Sequence, residues 1–105
     1  CLFAITSLGM TIPESGVCVV EFNASFNAAN SVDWIDELSD CKGRRVDIAA
    51  EPDLQKEHKI VVVPTVVVFN DGEEVERFQA NIMMQLEATQ DEVQEAVDEI
   101  IMSAF

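Results

Sequence analysis

The order of apolar and polar positions divides the chain into short blocks. Val17-Cys18-Val19-Val20-Glu21-Phe22 and Val66-Val67-Val68-Phe69 are near-continuous apolar runs of strand length, rich in β-branched residues. Such runs read as strands buried on both faces of a sheet. Leu2 to Thr6 gives a further short strand, and Ser7 to Gly16, with Gly9, Pro13 and Gly16, reads as loop. Arg44 to Ala49 predicts another strand. Glu73 to Phe78 mixes charges with Val75 and Phe78, as a strand near a sheet edge does. Between Val66-Val67-Val68-Phe69 and Glu73 to Phe78 stands Asn70-Asp71-Gly72, a strong hairpin signal because Gly tolerates positive φ.

Helical spacing appears three times. Val32, Ile35, Leu38 and Cys41 recur on one face of Ser31 to Cys41, with Asn30 or Ser31 available as N-cap and Asp33 in the first turn, which predicts an amphipathic helix ending by Gly43. Trp34 lies off that stripe and is expected to pack against another element. Glu51 to His58 predicts a short helix with Pro52 in its first turn. Thr89-Gln90-Asp91-Glu92 is a capping box, and Val93, Ala96, Val97, Ile100, Ile101 and Ala104 form the apolar face of a last helix. Asn23 to Asn30 reads as loop. Gln79 to Ala88 alternates Ile82, Met84 and Leu86 with Met83, Gln85 and Glu87, which fits an extended edge segment. The resulting order is β-α-β-α-β-β-α, an α/β domain with helices over a mixed sheet.

Composition narrows the class. A chain of 105 residues with 49% hydrophobic residues is expected to form one globular domain, residues 1–105. No apolar run approaches the roughly 20 residues that span a bilayer, and no signal-peptide pattern is visible in a chain that begins with Cys1. Twenty acidic against 6 basic residues give a formal charge of −14. That surface repels phosphate backbones and anionic lipid, so neither nucleic acid nor a membrane is the expected partner. Cys1, Cys18 and Cys41 match neither a zinc site nor a CxxC pair, which argues against a metal and for a reduced, cytoplasmic setting. The sequon Asn23-Ala24-Ser25 is the one sign of a secretory alternative. His58, the only histidine, is read as a surface residue at a helix end. Glu21 sits inside an apolar run and either faces solvent at the strand end or is buried with a partner.

Four stretches, in this order, resemble the thioredoxin family: Val19-Val20-Glu21-Phe22; Arg45-Val46-Asp47 followed by Pro52-Asp53-Leu54; Val63-Pro64-Thr65; and Phe69 through Asp71-Gly72 to Phe78. The resemblance implies a thioredoxin-like fold with a central mixed four- to five-stranded sheet flanked by helices. It further implies a buried acid at Glu21, a cis-proline loop at Pro64, and an active-site turn at Phe26-Asn27-Ala28-Ala29-Asn30. The family carries Trp-Cys-Gly-Pro-Cys there, so Asn27 and Asn30 stand where its two cysteines would be. A carboxamide can neither attack a disulfide nor resolve one. The expected function is therefore a redox-inactive module that binds another protein or an extended peptide, with no catalytic residue and no cofactor. Its binding residues would be Phe26, Asn27, Asn30, Val63, Pro64, Ile82, Met83 and Met84. Two alternatives stay open: a residual thiol activity through Cys41 or Cys1, and a structural subunit or homodimer associating through Met83 and Met84.

Overall fold

The computed structural model describes residue 12 and residues 15–104. The predicted first strand, Leu2 to Thr6, lies outside the described residues. Four strands, β1 (Val17–Asn23), β2 (Lys42–Asp47), β3 (Thr65–Asn70) and β4 (Glu73–Gln79), form one sheet in the order β2-β1-β3-β4. β2 runs parallel to β1, while β3 and β4 are added antiparallel. Helix α1 (Pro52–Glu57) lies in the crossover from β2 to β3, and α2 (Gln90–Ser103) ends the described chain. Among the described residues, no helix is long and apolar enough to cross a membrane.

The alternation of side chains along β1 and β3 explains why both are apolar throughout. Cys18, Val20 and Phe22 of β1 join Val67 and Phe69 of β3 on one face, under Leu54 of α1, with Val46, Ile60 and Val63. Val17, Val19, Val66 and Val68 point to the other face, against Val93, Ala96 and Val97 of α2. A central strand with a core on each side has no polar face to present. The outer strand β4 keeps its charges in solvent. Asp71 and Gly72 both have positive φ, as the tight loop of a β3–β4 hairpin requires. The same Asp71 accepts a hydrogen bond from the Gly16 N–H at 2.8 Å through Oδ1, tying the loop to the start of β1.

Three predicted elements differ. The helix expected over Ser31 to Cys41 is absent: only a single 3-10 turn, Ile35–Glu37, forms there. Serine, aspartate and β-branched residues fill that stretch, and all are weak helix formers. Tertiary bonds also hold the start of the stretch in place. The Val32 N–H donates to Glu21 Oε2 at 2.9 Å, and the Val32 carbonyl accepts from Arg45 at 2.7 Å. The apolar stripe still reaches its target, since Val32, Trp34, Ile35, Leu38 and Cys41 all pack on the α2 face of the sheet. Second, the predicted loop at Asn23 to Asn30 contains a kinked 3-10 stretch, Ser25–Asn30. Third, the segment after Gln79 does not continue as a strand. Asn81 folds it into a turn: its Oδ1 accepts from the Met83 and Gln85 N–H groups at 2.8 and 3.2 Å, and Met84 adopts φ 58°.

His58 is also not the surface residue expected. Its ring lies edge-on to Phe69, with centroids 5.1 Å apart, and 5.7 Å from Phe22. Nε2 is buried without a hydrogen-bond partner among the described residues. Arg77 explains the placement, because it donates to the His58 and Lys59 carbonyls and to Glu74, clamping the end of α1 to β4.

Candidate functional site

The site forms where β1 ends, where β3 begins and where the Asn81 turn meets them. The Val63–Pro64 peptide is cis, and Pro64 leads directly into β3. Thr65 steadies this corner by donating from its hydroxyl to the Val62 carbonyl at 2.7 Å. The Ser25–Asn30 turn sits beside it, and Asn27 is the contact. Its side chain is 6% exposed. Nδ2 donates to the Val63 carbonyl at 3.3 Å, to the Met84 carbonyl at 3.1 Å and to Asn23 Oδ1 at 3.2 Å. On its other side, Asn27 Oδ1 accepts from Asn30 Nδ2 at 2.8 Å. The two carboxamides predicted to share the active-site turn are thus bonded to each other. Asn30 caps no helix. Asn27 turns its donors inward, so the hydrogen bonds it was expected to offer a partner are made within the chain.

Asn23 completes the network. Its Nδ2 donates to the Asn27 carbonyl at 3.2 Å and to Ser31 Oγ at 2.8 Å. The nitrogen that a glycan would need is buried and doubly engaged in this fold.

Around this polar centre the surface is apolar. Phe26, Val61, Ile82 and Met83 are 76, 79, 99 and 67% exposed, and Met84 is partly so. A groove of about 410 Å³ runs between Phe26, the Val61–Val63 segment and the Asn81–Met84 turn. Among the described residues, the N–H groups of Val61, Val62 and Val63 have no hydrogen-bond acceptor. Of the predicted site residues, Phe26, Val63, Ile82 and Met84 line this groove. Pro64 is buried and Met83 is exposed, and neither lines the groove. Val61 was missed by sequence reasoning. An exposed valine inside Val61-Val62-Val63 gives no signal of its own, because the run reads as approach to a buried strand.

A second, smaller pocket of about 240 Å³ opens on the other side of the Ser25–Asn30 turn, lined by Glu21, Asn23, Arg45 and Asp47 among others. Glu21 is fully buried. Arg45 bonds its Oε1 and the Val32 N–H bonds its Oε2, so the acid in the apolar run has a partner for each oxygen.

The described thiols are poorly placed for chemistry. Cys18 is buried in β1, and burial pushes its thiol above the ordinary value. Cys41 precedes β2, and burial, reinforced by Cys18 and Asp40, pushes it up to about 11. Since the thiolate is the nucleophile, neither is activated near neutral pH.

No protein-family pattern matches the chain, and no curated protein does. Among solved structures, a single-site variant of Halobacterium salinarum thioredoxin is 22% identical, covering 81% of this chain and 74% of its own, with a TM-score of 0.64. Schistosoma mansoni thioredoxin is 20% identical over 82% of this chain and 78% of its own, with a TM-score of 0.65. Fasciola hepatica thioredoxin is 22% identical over 82% and 83%, with a TM-score of 0.58. The fold is thioredoxin-like.

Proposed function

We propose that this thioredoxin-like domain binds an extended segment of another protein and does not exchange disulfides. By the sequence resemblance, Asn27 and Asn30 stand where thioredoxins carry their two cysteines, and carboxamides bonded to each other have no thiolate to offer. Cys41 does not replace them, because its proton is held to about pH 11. One observation carries the binding half of the reading. Three successive N–H groups at Val61, Val62 and Val63 are unpaired among the described residues, and they belong to a groove lined by the exposed side chains of Phe26, Val61 and Ile82. A strand-like peptide would pair with the main chain there and place alternate apolar side chains in the groove. The formal charge of −14 favours a segment that also carries lysine or arginine.

The test is fluorescence anisotropy with a labelled peptide of alternating valine and lysine. Saturable binding is expected, weakened at least about tenfold by the double substitution Val61→Ser and Ile82→Ser, which equals about 1.4 kcal/mol. Equal affinity of the double variant would move the interface elsewhere. In parallel, reduction of insulin disulfides by dithiothreitol is expected to run at the blank rate with this chain and with its Cys41→Ser variant.

A further inference from the structure

The groove has two walls that are far apart in sequence, Val61–Val63 and Asn81–Met84, and one side chain touches the backbone of both. The Asn27 carboxamide nitrogen donates to the Val63 carbonyl and to the Met84 carbonyl. Both partners are peptide carbonyls and can only accept, so the end of the carboxamide that faces them must be the nitrogen. Its two hydrogens serve three acceptors, with Asn23 Oδ1 as the third, at 3.1 to 3.3 Å. The contacts are long for N–H···O bonds, which centre near 2.9–3.0 Å.

The wall that this bond holds is otherwise self-contained. Asn81 closes its own turn: the Asn81 N–H donates to the Gln85 carbonyl and the Met84 N–H to the Asn81 carbonyl, both at 3.0 Å. Met84 sits in the left-handed region, unfavourable for a residue with a Cβ, and Ile82 and Met83 at the tip are exposed. The bond from Asn27 to the Met84 carbonyl fastens the turn to the sheet at its strained residue.

We propose that Asn27 is a positioning residue, a brace that sets the width of the groove by holding the Asn81–Met84 turn against the Val61–Val63 segment. The inference rests on the binding role given above for its importance, but its geometry is measured without any peptide. Asn27→Asp is nearly isosteric and turns the key nitrogen into an oxygen that faces two carbonyls. Attraction becomes repulsion with little change of shape. Asn27→Ala removes the donor without adding repulsion.

The experiment places spin labels at Val61→Cys and Ile82→Cys, both exposed, in a Cys1→Ser, Cys41→Ser background, and reads their separation by pulsed electron resonance. The brace predicts a narrow distance distribution with Asn27 present. With Asn27→Asp it predicts a broader one shifted to longer distance, and with Asn27→Ala a smaller change in the same direction. Hydrogen exchange at Val66 to Phe69 checks that the sheet is intact. If Asn27→Asp does not fold, Asn27→Ala decides. An unchanged distribution in the folded variants overturns the brace. Failure of the valine–lysine peptide to bind, with the distances changing as stated, would sink the binding role and leave the brace standing.

Discussion

At the scale of single residues, the buried polar side chains among the described residues separate into those that are answered and one that is not. Glu21 is answered at both oxygens by Arg45 and the Val32 N–H. Truncating one partner leaves a buried carboxylate half-compensated, so Arg45→Ala is expected to lower stability by about 2–3 kcal/mol in urea denaturation, below the range for a fully buried pair because Arg45 is partly exposed. A loss below about 0.5 kcal/mol would show that solvent takes over from Arg45. His58 is the unanswered group among the described residues, its buried Nε2 making no hydrogen bond and lying 3.9 Å from Glu57 Oε2. Replacing an unsatisfied polar atom by an apolar one of similar shape is near neutral or favourable, so His58→Leu is expected to leave the melting temperature unchanged or raise it. Cys41 gives a pH dependence. Its thiol titrates near 9 when unfolded and near 11 when folded, so between those values the unfolded chain has lost its proton while the folded chain keeps it. Stability contributed by Cys41 is then fully present below pH 9 and declines as pH rises toward 11, and Cys41→Ser is expected to flatten that decline.

At the scale of elements, the sequence was most legible where one local rule decided the outcome. The runs at Val17 to Phe22 and Val66 to Phe69 had no polar face, and both became inner strands with a core on each side. Asp71-Gly72 turned where its positive φ values allow it, and the Thr89 capping box formed, with Thr89 Oγ1 accepting from the Glu92 N–H and Glu92 Oε1 from the Thr89 N–H. Thr89→Ala is therefore expected to cost about 1 kcal/mol, seen as fraying of the first turn of α2 in hydrogen exchange. Legibility failed where distant residues decided. Val32, Ile35 and Leu38 carry helical spacing, yet only a 3-10 turn forms, with the start of the stretch held at Val32 by Glu21 and Arg45. That turn lies so close to β2 that a Cβ on Gly43 would collide with the Ile35 carbonyl. Gly43→Ala is accordingly expected to destabilise by more than about 1 kcal/mol, through displacement of the turn rather than loss of strand propensity. The site followed the same division. Phe26 and Val63 were named from the resemblance and Ile82 and Met84 from the methionine-rich segment after Phe78, and all four line the groove, but the inward bonds of Asn27 depend on Val63 and Met84, 36 and 57 residues away.

For the whole molecule, charge and surface point the same way. The chain carries 20 acidic residues against 6 basic ones, and its two inner strands are buried up to Asn70, while the apolar surface at Phe26, Val61, Ile82 and Met83 stays uncovered. Exposed apolar side chains beside unpaired main-chain donors suit an extended partner better than a compact one. Amide hydrogen exchange in the presence of the valine–lysine peptide tests this most directly. New protection is expected within Val61 to Val63, with the β4 edge unchanged. Protection confined to β4, or none at Val61 to Val63 while the peptide is bound, would contradict it.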